Sequence, residues 1–90
     1  MHITADISLY PLADNFTPAI VDFIHRLRRE PGLEIVTNQL STQLRGDFAA
    51  VTGALHRCMA GTMASGAPLV FVVKYINADL PIASAPSIDG

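Results

Sequence analysis

The order of strand-like and helix-like stretches restricts the fold of this 90-residue chain more than any other feature of its sequence. Residues 2–12 alternate apolar and polar side chains, a pattern typical of a strand with one face in a core. Residues 33–38 and 41–46 are two further strand-like stretches, and the short polar segment between them suits a hairpin. Residues 69–76 are the fourth such stretch and the most apolar.

Two helices are predicted between these strands. The first begins at Thr17, which can cap the helix and is followed by a proline that loses only an N–H group without a partner there. It ends before Pro31-Gly32. The second is capped by Asp47 and extends to about Ser65, with apolar residues at helical spacing along one side.

The resulting order, β-α-β-β-α-β, predicts an α+β fold. It is typical of a ferredoxin-like sandwich, in which a four-stranded antiparallel sheet carries both helices on one face. Residues 1–77 would form this single domain. Residues 78–90, rich in Pro, Ser and Ala, are predicted to be a flexible C-terminal tail.

The fourth strand has apolar side chains on both of its sides. One side carries Leu69, Phe71, Val73 and Tyr75. The other carries Val70, Val72 and Ile76, and only Lys74 interrupts this second row. Such a strand is expected to be buried on both faces, but a two-layer sandwich covers only one. We therefore expect a second copy of the chain to cover the open face of the sheet, in a homodimer or a dimer of dimers.

Composition argues against several classes of protein. The net charge is −2 with six basic residues, whereas nucleic-acid binding needs a basic surface. No apolar run approaches the ~20 residues that span a bilayer, so membrane insertion is not expected. Cys58 is the only cysteine and cannot form a disulfide within the chain. The first residues lack the basic start and long apolar segment of a signal peptide, and we expect a cytoplasmic location.

Motifs of familiar chemistry are absent from the sequence. There is no glycine-rich dinucleotide or phosphate loop, no GxSxG and no CxxC. His56 and Cys58 are two residues apart on the predicted second helix, so they point in different directions, and no third ligand is near. No catalytic residue, metal or cofactor is predicted.

Polar side chains gather in two places. Asp6, Ser8 and Tyr10 form the outward row of the first strand, and neutral polar residues cluster in the hairpin between positions 37 and 42. Hydroxyl and amide groups both donate and accept hydrogen bonds, which suits the edge of a heteroaromatic ring. Hairpins are also polar because they face water, so a solvated hairpin is the alternative interpretation.

The same places carry a resemblance to a known family. Ser8–Leu12 with Asp14–Phe16 (SLYPL and DNF) and Thr37–Gly46 (TNQLSTQLRG) resemble the YkoF-like family, whose members bind thiamine or its hydroxymethylpyrimidine half. The match runs in order from about Ile3 to Asn77. Better-known members carry two such repeats in one chain. This chain has one, so two chains would have to supply the pair.

The resemblance implies a ferredoxin-like domain that pairs sheet to sheet and binds its ligand without catalysis, in thiamine salvage or transport. The implied contacts to the ring nitrogens and exocyclic amine of the aminopyrimidine are Ser8, Tyr10, Thr37, Asn38, Ser41 and Thr42. Asp6 or Asp14 would face the thiazolium cation if the ligand is whole thiamine.

Two other functions compete with ligand binding. One is a small dimeric α+β-barrel enzyme of the monooxygenase or isomerase type, which would need a general base or a cofactor pocket. Asp6 and the three histidines are the only candidate bases, and none has an evident partner. The other is a structural or regulatory dimerisation domain.

Overall fold

A computed structural model describes residues 1–12, 14–15, 17–64 and 66–89, so Phe16 and Ser65 lie outside the described residues. Its elements are β1 (His2–Pro11), α1 (Thr17–Arg28), β2 (Glu34–Thr37), β3 (Thr42–Asp47), α2 (Phe48–Met63) and β4 (Leu69–Ile76). The strands form one antiparallel sheet in the order β2-β3-β1-β4, and both helices pack on one face. The predicted α+β, ferredoxin-like sandwich is confirmed.

The boundaries differ from the predicted ones chiefly at the hairpin and at the end of α2. Asn38 and Ser41, predicted as strand ends, belong to the hairpin loop, and α2 ends at Met63. The predicted cap of α2 is confirmed, because the Asp47 carboxylate accepts a hydrogen bond from the backbone N–H of Ala49 at 3.1 Å. This bond holds the pKa of the Asp47 carboxyl below its usual range.

Alternation along the strands decides which side chains reach the core. Ile3, Ala5 and Ile7 of β1 face the helices and are at most 3 % exposed. They pack with buried residues of both helices and of β3, namely Phe23, Leu27, Leu44, Val51, Leu55 and Cys58. The ring centroids of Phe23 and Phe71 lie 4.9 Å apart, which ties α1 to β4. Burial of each large apolar side chain stabilises the fold by roughly 1.5–3 kcal/mol, and these contacts hold the helices against the sheet.

The other side of the sheet, which we call the open face, carries the even-numbered residues of β1. Opposite them on β4 lie Val70, Val72, Lys74 and Ile76. Val70, Val72 and Ile76 are 43 %, 45 % and 42 % exposed. The fourth strand is thus apolar on a side that the helices do not cover, and its cover by a second copy stays a prediction.

Residues 78–80 lie against one end of the open face. The Thr4 hydroxyl donates to the carbonyl of Ala78 at 2.7 Å and accepts from the N–H of Leu80 at 2.9 Å, and Thr4 is only 3 % exposed. Arg45 donates to the carbonyl of Leu80 at 2.7 Å and pairs with the Asp79 carboxylate at 3.6 Å. These contacts tie residues 78–80 to β1 and β3, and the flexibility of 78–90 as a whole stays a prediction.

Gly32 closes the turn after α1 with a φ of 76°, in the left-handed region that side chains rarely adopt. We expect Gly32→Ala to lower the free energy of unfolding by about 1 kcal/mol, because the new Cβ strains this conformation. Urea denaturation followed by circular dichroism measures the change. Gly53→Ala is the control and should not destabilise, because alanine is favoured inside α2 and the new Cβ would meet, at 3.0 Å, only the end of the flexible Arg57 side chain, which can move aside. Unchanged stability of Gly32→Ala would contradict the described turn.

Candidate functional site

A notch forms in the sheet beside the β2–β3 hairpin because β1 extends beyond β3. The pairing of β1 with β3 stops at Ile7 opposite Thr42, whereas its pairing with β4 continues to Pro11 opposite Leu69. The last residues of β1 therefore have a strand partner on one side only. A cavity of about 110 Å³ lies between this part of β1, the hairpin and α1. We call it the hairpin cavity.

The α1 side of the hairpin cavity is apolar. Ile20, Phe23 and Ile24 of α1 line it together with Ile7 and Leu9 of β1. Phe23 is 3 % exposed and Ile7 is 2 % exposed, so this wall is continuous with the core. Ile20, Phe23 and Ile24 are at helical spacing in the sequence, which identifies a buried side of α1 without showing which part of that side borders a cavity.

The hairpin side of the cavity presents two hydroxyl groups. Thr37 at the end of β2 and Thr42 at the start of β3 are paired, and their Oγ1 atoms lie 3.0 Å apart. Thr42 is 4 % exposed, so its hydroxyl is largely removed from bulk water. One hydroxyl proton makes the bond between the two, which leaves one donor and several lone pairs. This threonine pair can therefore both donate to and accept from a molecule in the cavity.

Asn38 fixes the shape of the hairpin loop. Its Oδ1 accepts hydrogen bonds from the N–H of Leu40 at 2.9 Å and of Ser41 at 3.1 Å, and its own N–H donates to the Ser41 carbonyl at 3.0 Å. Its Nδ2 donates to Gln43 Oε1 at 3.4 Å. Leu40, which lines the cavity, is left 89 % exposed. The side chain of Asn38 is thus engaged by the loop that it belongs to.

Ser41 points the other way, to the open face. Its hydroxyl donates to Asp6 Oδ1 at 2.6 Å. Gln43 Nε2 donates to the same Asp6 oxygen at 3.1 Å and to Ser41 Oγ at 2.7 Å. These three residues form a cluster that we call the Asp6 cluster. Gln43 was not among the predicted site residues. It lies two residues after Ser41 in the predicted strand 41–46, and this spacing is the signal that could have placed both side chains on one face of the sheet.

Five of the six predicted site residues line the hairpin cavity: Ser8, Thr37, Asn38, Ser41 and Thr42. Tyr10 is not among the described residues that line it, and its side chain is 55 % exposed on the open face. Asp6 lies behind Ser41, and Asp14 is exposed outside the lining. The structure therefore brings five of the predicted residues to one cavity and leaves Tyr10 on the open face, and of the five, Ser41 directs its hydroxyl to the open face.

Metal and thiol chemistry have no evident site in the described part of the chain. No three His, Cys, Asp or Glu side chains lie there in a group that could hold a metal ion. Cys58 is buried, and burial raises the pKa of its thiol, which disfavours the reactive thiolate. None of the described helices is long and apolar enough to cross a membrane.

Comparison with known proteins identifies relatives in structure only. No family model matches the chain, and no curated protein sequence matches it significantly. A protein from Streptococcus pneumoniae superposes with a TM-score of 0.81 at 17% identity, covering 89% of this chain and 90% of that one. A domain of unknown function, DUF77, from Bacillus cereus superposes with a TM-score of 0.74 at 16% identity, covering 99% of this chain and 85% of that one. For a candidate thiamine biosynthesis or salvage protein from Thermotoga maritima the TM-score is 0.74 at 12% identity, and the match covers 96% of this chain and 90% of that one. At sequence identities this low, the structural similarity establishes the shared fold alone.

Asn38→Ala tests the role of Asn38 in the hairpin. We expect the free energy of unfolding to fall by about 1 kcal/mol, because two backbone N–H groups lose their acceptor on an exposed loop. Chemical denaturation measures the loss. Gln39→Ala is the matched control in the same loop, since the described contacts include no hydrogen bond from the Gln39 side chain. Equal loss in both variants would show that Asn38 has no special part in the turn.

Proposed function

We propose that this chain binds a small heteroaromatic ring in the hairpin cavity, the aminopyrimidine of thiamine or of its hydroxymethylpyrimidine half, and leaves it chemically unchanged. The observation that carries the proposal is the threonine pair, whose hydroxyl oxygens lie 3.0 Å apart opposite an apolar wall. Pockets for small molecules typically combine such an apolar lining with a few polar groups that orient the ligand.

The size of the hairpin cavity limits what can enter it. A dry cavity of ~150 Å³ holds benzene, so the smaller hairpin cavity, about 110 Å³, would take part of one six-membered ring and leave the substituents of the ring at its open side. Ile20 and Ile24 would contact the ring from α1. Leu40 would cover it from the hairpin, since its 89 % exposure leaves apolar surface that gains by burial. The remainder of a whole thiamine would project from the mouth.

The choice of a thiamine pyrimidine rests on two supports. The first is the resemblance of the strand-exit and hairpin segments to the YkoF-like family. The second is the fold shared with the Thermotoga maritima protein, a candidate in thiamine biosynthesis or salvage. We accordingly propose that the chain is a single-repeat member of the YkoF-like family that serves thiamine salvage or transport in the cytoplasm.

We also propose that two copies pair through the open face. Tyr10 lies there opposite Val70, and Ser8 lies opposite Val72. Tyr10, Val70 and Val72, which we call the apolar patch, are 55 %, 43 % and 45 % exposed. Pairing about a two-fold axis would remove this surface from water. Residues 78–80 occupy the other end of the open face, so the contact would centre on the apolar patch.

Thr42→Val removes one hydroxyl of the threonine pair and keeps the shape of the side chain. We expect the binding of hydroxymethylpyrimidine to weaken by about 1–2 kcal/mol, because a polar atom of the ring loses its partner. Isothermal titration calorimetry measures the affinity. The control is Thr52→Val, whose hydroxyl bonds within α2 to the Phe48 carbonyl, and it should bind as the wild type does. An affinity unchanged in Thr42→Val would remove this hydroxyl from the site.

Mass analysis of the ligand recovered from the calorimeter separates binding from catalysis. Unchanged hydroxymethylpyrimidine or thiamine, with measurable heat, supports a binding protein. A chemically altered ligand would instead favour the dimeric α+β-barrel enzyme. No heat with either compound would favour the structural dimerisation domain.

Val72→Glu tests the pairing of copies. We expect the wild type to sediment as a dimer and Val72→Glu as a monomer, because pairing would bury each new carboxylate without a partner. Val21→Glu is the control, since Val21 has a similar exposure of 42 % but lies on α1, and it should remain dimeric. A wild-type monomer at working concentration would refute the pairing.

A further inference from the structure

The lining of the hairpin cavity carries no charge. None of the described residues that line it is Asp, Glu, Lys, Arg or His. One lining residue does contact a charged group, because the Ser41 hydroxyl donates to the Asp6 carboxylate on the open face at 2.6 Å. Lys74 lies opposite Asp6 on β4, but both residues belong to the open face. The cavity is therefore lined by neutral residues, and the Asp6 carboxylate lies on the other side of Ser41.

The hairpin backbone offers no substitute for a basic side chain. Phosphate groups are held in proteins by Arg, Lys or clusters of free backbone N–H groups. The N–H groups of Leu40 and Ser41 are both taken by Asn38 Oδ1, and the N–H of Asn38 is taken by the Ser41 carbonyl. An anion at this loop would lose its water and gain only neutral donors, such as a hydroxyl of the threonine pair or the Gln39 amide, with no positive charge to offset the loss.

We infer that the hairpin cavity selects the unphosphorylated hydroxymethylpyrimidine and discriminates against its phosphate ester. The inference rests on the proposed function and adds the chemical class of ligand to it. A cavity of about 110 Å³ has no room for a phosphate beside the ring, so a phosphate on the hydroxymethyl group would stand at the mouth. There it would meet exposed neutral residues such as Gln39 rather than a cation of the lining.

Isothermal titration calorimetry with hydroxymethylpyrimidine and with its monophosphate tests the inference. We expect the wild type to prefer the unphosphorylated compound by about tenfold or more. Gln39→Arg places a guanidinium at the mouth, so it should tighten monophosphate binding about fivefold relative to the binding of hydroxymethylpyrimidine by the same variant. The control is His56→Arg on the exposed surface of α2, which adds a similar charge away from the cavity and should change neither affinity.

Each outcome bears on a different step of the argument. Equal or tighter binding of the monophosphate by the wild type would overturn the selectivity and leave ring binding intact. Unchanged monophosphate affinity in Gln39→Arg would overturn the electrostatic origin of the selectivity. Binding of neither compound by the wild type would overturn the proposed function together with this inference.

Discussion

The pairing of β1 on both of its sides is the constraint on which the rest of the structure depends. β1 contacts β3 as far as Ile7 and β4 as far as Pro11, so it is one of the two central strands of the sheet and extends beyond the end of β3. Its buried side chains anchor both helices. The mismatch in length creates the hairpin cavity, and the even-numbered residues Thr4 and Asp6 bind the C-terminal segment and the hairpin.

The fold could be predicted because each element carries a local signal of its own. Period-two alternation marks β1, and the cap at Asp47 marks the start of α2. The contact between Thr4 and Ala78 could not be predicted in this way. It joins residues 74 positions apart, and a threonine in a strand is ordinary, so neither the sequence pattern nor composition distinguishes it.

The polar hairpin could be singled out from the sequence as a candidate site, and the structure places a cavity beside it, but the arrangement of its side chains could not be predicted. The hairpin was selected because its side chains are polar, and residue type does not tell which side of the sheet each side chain reaches. Ser41 and Thr42 are neighbours in sequence, yet one bonds to Asp6 on the open face and the other bonds to Thr37 beside the cavity. The period of a strand requires this separation once the ends of β3 are known, and those ends depend on the Asn38 bonds that shape the loop.

The same separation links the two faces of the sheet. The hairpin is bonded to the open face through Ser41 and borders the cavity through Thr42, with one peptide bond between them. A second copy that covered the Asp6 cluster would strengthen the hydrogen bonds of this cluster as the local dielectric falls, against the cost of removing the Asp6 carboxylate from water. A hairpin held more firmly loses less conformational freedom when a ring binds against the threonine pair. Pairing of copies and binding of ligand would then favour each other by equal amounts, as thermodynamic linkage requires.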